Sequence, residues 1–262
     1  MKQWALAIVM SVTMAAGTAF AEMARIDPAK FVDLTHTLDQ STIYWPTESG
    51  FKFHYEHYGM TPGGYFYASG YFDSPEHGGT HMDAPLHFNR NGESVDKVPL
   101  THVIGPAAVI DFSSRAARDP DATLSVDDIH KYEAAYGRIP PGAIVVARSG
   151  WGRFWPDRKQ YMGTDKPGDV AGLRFPGFSP EAVGFLLKHR NVVAIAIDTA
   201  SMDPGVSKDF PVHRLWLGAN RPGFENLANA DRLPPSGATL FCAPMKIGGG
   251  TGAPARIFAL LP

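Results

Sequence analysis

The chain has 262 residues, with 24 Lys and Arg against 26 Asp and Glu, a formal net charge of -2 and 10 histidines. Acids and bases are mixed along it and no basic block occurs, which excludes nucleic acid as a partner. Cys242 is the only cysteine, which excludes an intramolecular disulfide and leaves an apolar core, bound metal or neighbouring subunits as sources of stability. Residues 1–21 read as an export signal: Lys2, an apolar run from Trp4 to Phe20, and a small-residue cleavage site at Ala19, Phe20 and Ala21. Ser11, Thr13, Gly17 and Thr18 interrupt that run, which is shorter than the ~20 residues a membrane span needs. The mature chain is therefore expected in the periplasm with no membrane anchor.

Residues 22–262 show no internal repeat or low-complexity linker and are expected to form a single domain. Residues 31–35 suit a strand, residues 51–55 alternate apolar and polar as a half-buried strand does, and the aromatic stretch 65–72 is expected to pair nearby. Residues 107–112, 143–149, 192–198, 239–243 and 256–261 are apolar, rich in β-branched side chains, and suit buried strands. Ser125 with Asp128 forms a capping-box arrangement and predicts a helix that Gly137 stops. Ser179, Pro180 and Glu181 predict a second helix running to about Arg190, with Val183, Leu186 and Leu187 spaced for an apolar face. Strands outnumber helices, so the expected fold is an α/β domain with a mixed sheet and not a doubly wound one.

The densest run of potential ligands is His77, His81, Asp83 and His87, three imidazoles and a carboxylate within eleven residues. Gly78 and Gly79 oppose a continuous helix, so His77 and His81 must converge through a turn. Pro85 pushes Ala84 toward an extended conformation and swings the chain away after Asp83. Imidazole nitrogen and carboxylate oxygen suit zinc, manganese or iron alike. A divalent ion there would lower the pKa of a water toward ~7 and polarise a carbonyl. An amide leaves poorly as an anion, so an acid must protonate the departing nitrogen, and an unperturbed His87 has the pKa for that exchange. Trp45, Trp151 and Trp216 are candidate walls for an aromatic substrate. His36, His54, His57 and His102 fit no cluster and read as ordinary polar residues.

The pattern His-x-Gly-Thr-His-x-Asp-x-Pro-x-His over residues 77–87 resembles the signature of the bacterial metal-dependent cyclase family, which includes kynurenine formamidases and isatin hydrolases. The resemblance continues through residues 198–203, 210–213, 225–227 and 244–254. It implies a compact swivelling β/β/α fold, a homo-oligomer (dimer or tetramer), and hydrolysis of an amide carbonyl with one or two divalent ions, zinc or manganese. By that resemblance His77, His81 and Asp83 are metal ligands, His213 and Glu225 complete the site, and His87 with Glu225 moves protons. The substrate it implies is a small aromatic amide of the N-formylkynurenine type or a cyclic amide of the isatin type. The stretch 119–161 resembles the isatin-hydrolase branch. A periplasmic metal or small-molecule binding protein without turnover is the alternative of another class.

Two rival motifs fail on context. Ser149 lies between Arg148 and Gly150, but Ala147 stands where a nucleophile elbow needs its first glycine. The glycine run of residues 248–252 is too near the C-terminus to open a dinucleotide-binding unit.

Overall fold

Residues 27–262 are described by a computed structural model, and the export signal expected over residues 1–21 lies outside them. Along the chain, β1 (Phe31–Asp33) precedes a hairpin of β2 (Lys52–Met60) and β3 (Phe66–Asp73), then β4 (His81–Asp83) and β5 (Ile104–Asp111). Next come α1 (Ser113–Ala116), β6 (Thr123–Leu124), α2 (Val126–Tyr136), β7 (Ile144–Arg148), α3 (Arg158–Met162), β8 (Gly177–Phe178) and α4 (Pro180–His189). The last stretch carries β9 (Ala194–Ile197), α5 (Pro211–Gly218), β10 (Gly223–Glu225), β11 (Thr239–Pro244) and β12 (Gly252–Leu260).

Eight strands form one mixed sheet in the order β1-β12-β11-β5-β7-β9-β10-β4. β5, β7, β9 and β10 run parallel, joined by crossovers that carry α2, α4 and α5. The remaining neighbours are antiparallel. β4 pairs with β10 on one edge and with the start of β12 on the other, Pro254 opposite His81 and Gly252 opposite Asp83, so the sheet closes on itself.

β7 and β9 are apolar on both faces because both faces are covered. Val145, Ala147, Ile195 and Ile197 share a core with Ile129 of α2, Val183 and Leu186 of α4, and Trp216 of α5. Ile144, Val146 and Ala196 turn the other way to join Leu240, Ile257 and Phe224. Burying each of Ile129, Val183 and Leu186 stabilises by roughly 1.5–3 kcal/mol, whereas helix propensities differ by at most ~0.7 kcal/mol per ordinary residue. Packing therefore decides where these helices sit. The two helices read from the sequence start as expected: Ser125 and Asp128 exchange hydrogen bonds in a capping box, and Ser179 accepts from the Ala182 N–H. Gly137 ends α2 with φ 86°, a conformation glycine reaches without strain. Among the described residues no helix is long and apolar enough to cross a membrane.

The hairpin departs from the half-buried strand expected over residues 51–55, because Phe53 and Tyr55 are 45% and 57% exposed. Among the described residues β2 and β3 pair only with each other. The alternation is present, but it sorts aromatics onto a face that the sheet does not cover: Phe53, Tyr55, Tyr58, Met60, Phe66 and Phe72 share one side, opposite His54, His57, Tyr67 and Tyr71.

Candidate metal centre

The segment before β4 turns at Gly79, with φ 58°, and a side chain at Gly78 would strike the Tyr44 ring at 2.0 Å. This is the turn that lets His77 meet His81 without a helix. β4 is buried at all three residues. Ala84 is extended, with ψ 153°, and Pro85 starts a single 3₁₀ turn that folds His87 back over His77, ring centroids 3.9 Å apart. β10 pairs Glu225 opposite His81. α5 begins at Phe210, whose φ is 50°, with Pro211 in its first turn, and presents His213 from its buried face.

The side chains converge. Asp83 Oδ1 lies 2.7 Å from His77 Nδ1 and 3.1 Å from His81 Nε2, while Oδ2 lies 3.2 Å from His213 Nε2. Glu225 spans the same gap, 3.5 Å from His81 Nε2 and 3.3 Å from His213 Nε2. Two backbone and side-chain acceptors fix the imidazoles from behind. His81 Nδ1 donates to the Gly79 carbonyl at 2.9 Å, and His213 Nδ1 donates to Asp203 at 2.6 Å. Asp203 also accepts the backbone N–H groups of Val212 and His213, so one buried carboxylate sets both the start of α5 and its histidine.

The donor set fits a divalent cation. His81 Nε2 and Asp83 Oδ2 are buried without a hydrogen-bond partner although each has an oppositely charged group near 3 Å. A neutral imidazole whose Nδ1 proton is committed to Gly79 offers only a lone pair to those carboxylates. Something positive must lie between them: protons in the metal-free protein, or an ion held by N and O ligands.

The ionisation of the cluster carries the same message. Burial alone would lower His81, but its close approach to Asp83, the Asp83 and Glu225 charges and the Gly79 carbonyl push it up to about 9. Burial likewise opposes charge on His213, yet Asp203, Asp83 and Glu225 hold it well above the ordinary imidazole value. Burial would raise Asp83, but His77 and the bonds from His213, His77 and His81 keep it well below the usual carboxylate range. Glu225 is raised, first by burial and then by the Asp83 charge. His87 is pushed down to about 4, chiefly by burial, with nearby histidines adding to the fall. The unperturbed pKa read for it from the sequence does not apply. In the metal-free protein it is neutral at pH 7, and burial makes it a weaker base than an ordinary imidazole.

A cavity of about 410 Å³ opens onto this cluster, walled by Trp45, Phe88 and Phe210 on the apolar side and by Glu48 and Glu76 at polar positions. Trp45 thus stands where the sequence puts it. Trp151 and Trp216 do not. Both are buried away from the cavity, their indole N–H groups satisfied by the Tyr161 and Pro222 carbonyls, because a large aromatic with an internal acceptor packs in the core. His36 is also not an ordinary polar residue: it stacks on Trp155 at 4.1 Å, and burial lowers it to about 4. Ser149 is no nucleophile, since its hydroxyl donates to buried Asp198 at 2.6 Å. Asp203 and Thr251 are contacts of the site histidines, and Glu76 a contact of Thr251, that the sequence reading missed; Asp203 and Thr251 lie inside tracts matched to the family, and Glu76 adjoins the first histidine.

A closed mixed sheet that delivers imidazoles and carboxylates to an aromatic-walled cavity is the framework of a metal-dependent hydrolase, and comparison with known proteins agrees. The cyclase family matches residues 32–204, and the chain belongs to that family. It is 37% identical over 207 residues to the isatin hydrolase of Roseibium aggregatum, covering 76% of this chain and 77% of that one. It is 29% identical over 180 residues to the kynurenine formamidase of Salinibacter ruber, 69% of this chain and 74% of that one. The crystal structure of an isatin hydrolase bound to the product analogue thioisatinate superposes with a TM-score of 0.80 at 32% identity, covering 89% of this chain and 92% of the other.

Proposed function

We propose that the protein hydrolyses an aryl-linked amide C–N bond, and that His77, His81, Asp83, His213 and Glu225 hold the divalent ion it needs. The observation that carries this reading is the convergence of these five residues around Asp83, with His81 Nε2 and Asp83 Oδ2 buried and unpartnered, beside an aromatic-walled cavity. The ion, zinc or manganese, supplies Lewis acidity and acidifies a water. Asp83 faces His77 and His81 with one oxygen and His213 with the other, which favours two ions over one. Trp45, Phe88 and Phe210 receive the aromatic ring. His87, neutral and beside the cluster, takes a proton from the attacking water and returns it to the departing nitrogen. An N-formyl arylamine of the formylkynurenine type fits this scheme. A cyclic amide of the isatin type fits it equally, and the likeness to both an isatin hydrolase and a kynurenine formamidase supports the two readings alike. Assays of N-formylkynurenine, isatin and simple lactones with zinc- and manganese-loaded protein separate them. Turnover of none, with metal bound, would refute the hydrolase reading; His81→Ala or Asp83→Ala with full metal content and normal turnover would refute the site.

The protein is further proposed to be exported, which N-terminal sequencing of the periplasmic fraction tests, and to be a homo-oligomer. The aromatic face of the hairpin supports a second copy as its cover. Phe53, Tyr55, Tyr58, Met60, Phe66 and Phe72 are each 44–65% exposed. At roughly 100 Å² apiece they present about 600 Å², at the upper end for a lone monomer's patch and near the ~800 Å² per partner of a stable interface. Tyr58→Glu with Phe66→Glu should yield monomers in sedimentation; an unchanged oligomer, or a monomeric parent, would refute this face.

A further inference from the structure

The glycine run of residues 248–252 has no part in the scheme above, yet it lies against the metal centre. Thr251 sits between two residues of the preceding loop. Its hydroxyl donates to Glu76 Oε2, and its backbone N–H donates to the same oxygen at 3.0 Å. On its other side the hydroxyl oxygen lies 3.0 Å from His77 Nε2. A threonine hydroxyl has one proton, and a carboxylate can only accept. With that proton committed to Glu76, Thr251 can only accept from His77, so His77 Nε2 must carry a proton.

The glycines on either side make this contact possible. A side chain at Gly250 would come within 2.8 Å of Glu76 Oε1, and one at Gly252 within 2.4 Å of His77 Cε1 and 2.8 Å of the Met82 carbonyl. Gly252 is also the residue of β12 that pairs with Asp83, so the sheet register holds Thr251 beside the metal cluster. Gly250 and Thr251 are pinned by their own backbone, through the Val95 N–H at 3.0 Å and the Ala84 N–H at 2.9 Å. The hydroxyl is presented by a fixed segment.

We propose that Thr251 and Glu76 are a positioning pair that fixes the proton of His77 on Nε2 and so makes Nδ1 the nitrogen offered to the cation, the reverse of His81 and His213. Those two histidines carry their outer proton on Nδ1, toward Gly79 and Asp203, and turn Nε2 inward. His77 turns Nδ1 inward, 2.7 Å from Asp83 Oδ1, and points Nε2 outward to Thr251. Outer hydrogen bonds of this kind orient a ligand ring and raise its affinity for metal, and losing one typically costs 10–100-fold in binding. Glu76 also lines the cavity, but its bond to Thr251 reaches the cluster only through His77. The pair acts through His77.

This inference rests on the metal-site reading, and the experiment separates the two. Zinc affinity is measured by competition with a chelator for the parent protein, Thr251→Val, Thr251→Ser, Glu76→Leu and the Thr251→Val/Glu76→Leu double variant. Long-range ¹H–¹⁵N spectra of the zinc-loaded parent show which nitrogen of each histidine keeps its proton. The expected result is a proton on Nε2 for His77 and on Nδ1 for His81 and His213. Thr251→Val and Glu76→Leu should each weaken zinc 10–100-fold, Thr251→Ser should stay within about threefold of the parent, and the double variant should be no worse than either single change. A His77 that keeps its proton on Nδ1 would overturn the inference with the metal site intact, as would a Thr251→Val protein that binds zinc like the parent. So would Thr251→Ser as weak as Thr251→Val, since a retained hydroxyl would then not support binding. If Thr251→Val fails to fold, Glu76→Leu and the parent spectrum decide. A parent that takes up neither zinc nor manganese would overturn the metal reading itself.

Discussion

Metal binding should expel protons, and the number can be worked out from the cluster. In the metal-free protein His81 is raised to about 9 by burial set against its bonds and charges from Asp83 and Glu225. At pH 7 it is then about 99% protonated, two units below its pKa. An ion bound at Nε2 must displace that proton. Since the raised pKa reflects stabilisation of the protonated form, displacement at pH 7 costs about 3 kcal/mol, or about 100-fold in affinity. The sign follows: affinity rises about tenfold per pH unit from 6.5 toward 9 and levels off above it. His213, also raised, adds a second proton where the ion reaches its Nε2 as well, which steepens the slope. Calorimetric titration of metal in two buffers of different protonation enthalpy counts the protons directly, and at least one per ion is expected at pH 7. A heat independent of buffer, together with an affinity flat between pH 6.5 and 8.5, would refute the charge arrangement argued for His81.

The other perturbations separate binding, chemistry and shape. His87→Asn should leave metal content unchanged, because His77, His81, Asp83, His213 and Glu225 supply five donors besides it, and lower turnover by about 100-fold or more; elemental analysis beside single-substrate kinetics checks both halves. Glu225→Gln keeps the shape and the acceptor for the Met202 N–H, now 2.7 Å away, but removes a buried charge. It should reduce the ions bound per chain or shift the pH profile of the rate upward, which metal analysis and rates from pH 5 to 10 test. Trp45→Ala should raise KM for an aromatic substrate more than it lowers kcat, whereas Trp216→Ala, in the core, should destabilise by about 3–5 kcal/mol in denaturant unfolding.

The residues that read most clearly in the sequence are those whose chemistry is packed into a short stretch. His77, His81 and Asp83 stand together because one turn and one three-residue strand carry all of them, and Gly78 and Gly79 already exclude a helix there. The parallel strands read well for a similar reason: covered on both faces, they become continuous apolar runs. α5 leaves a weaker trace, with only Val212, Trp216 and Leu217 buried beside His213 over eight residues, too short for a helical period to stand out. Asp203, Glu76 and Thr251 could not be assigned because their roles exist only as contacts, one of them across 174 positions of sequence. The hairpin shows the limit of alternation, which sorts side chains to two faces but does not say that either face meets the sheet. Trp151 and Trp216 show the same limit for residue type: an indole fits a cavity wall or a core equally well until its N–H partner is known.

β4 has both edges occupied, one by β10 and the other by the first residues of β12. Translation delivers β4 near the start and β12 among the final residues, so two of the ligands emerge early and wait for most of the chain before their strand is completed. Pairings this distant in sequence are slow to close, and an incomplete strand exposes free backbone groups meanwhile. The final strand acts as a latch: a chain cut before Gly252 would not lose a decorative edge but would leave His81 and Asp83 on an open ribbon beside unsatisfied backbone. Capacity to retain metal should therefore appear only after β12 has been made and paired, and in vitro refolding should show the same delay between secondary structure and tight metal uptake.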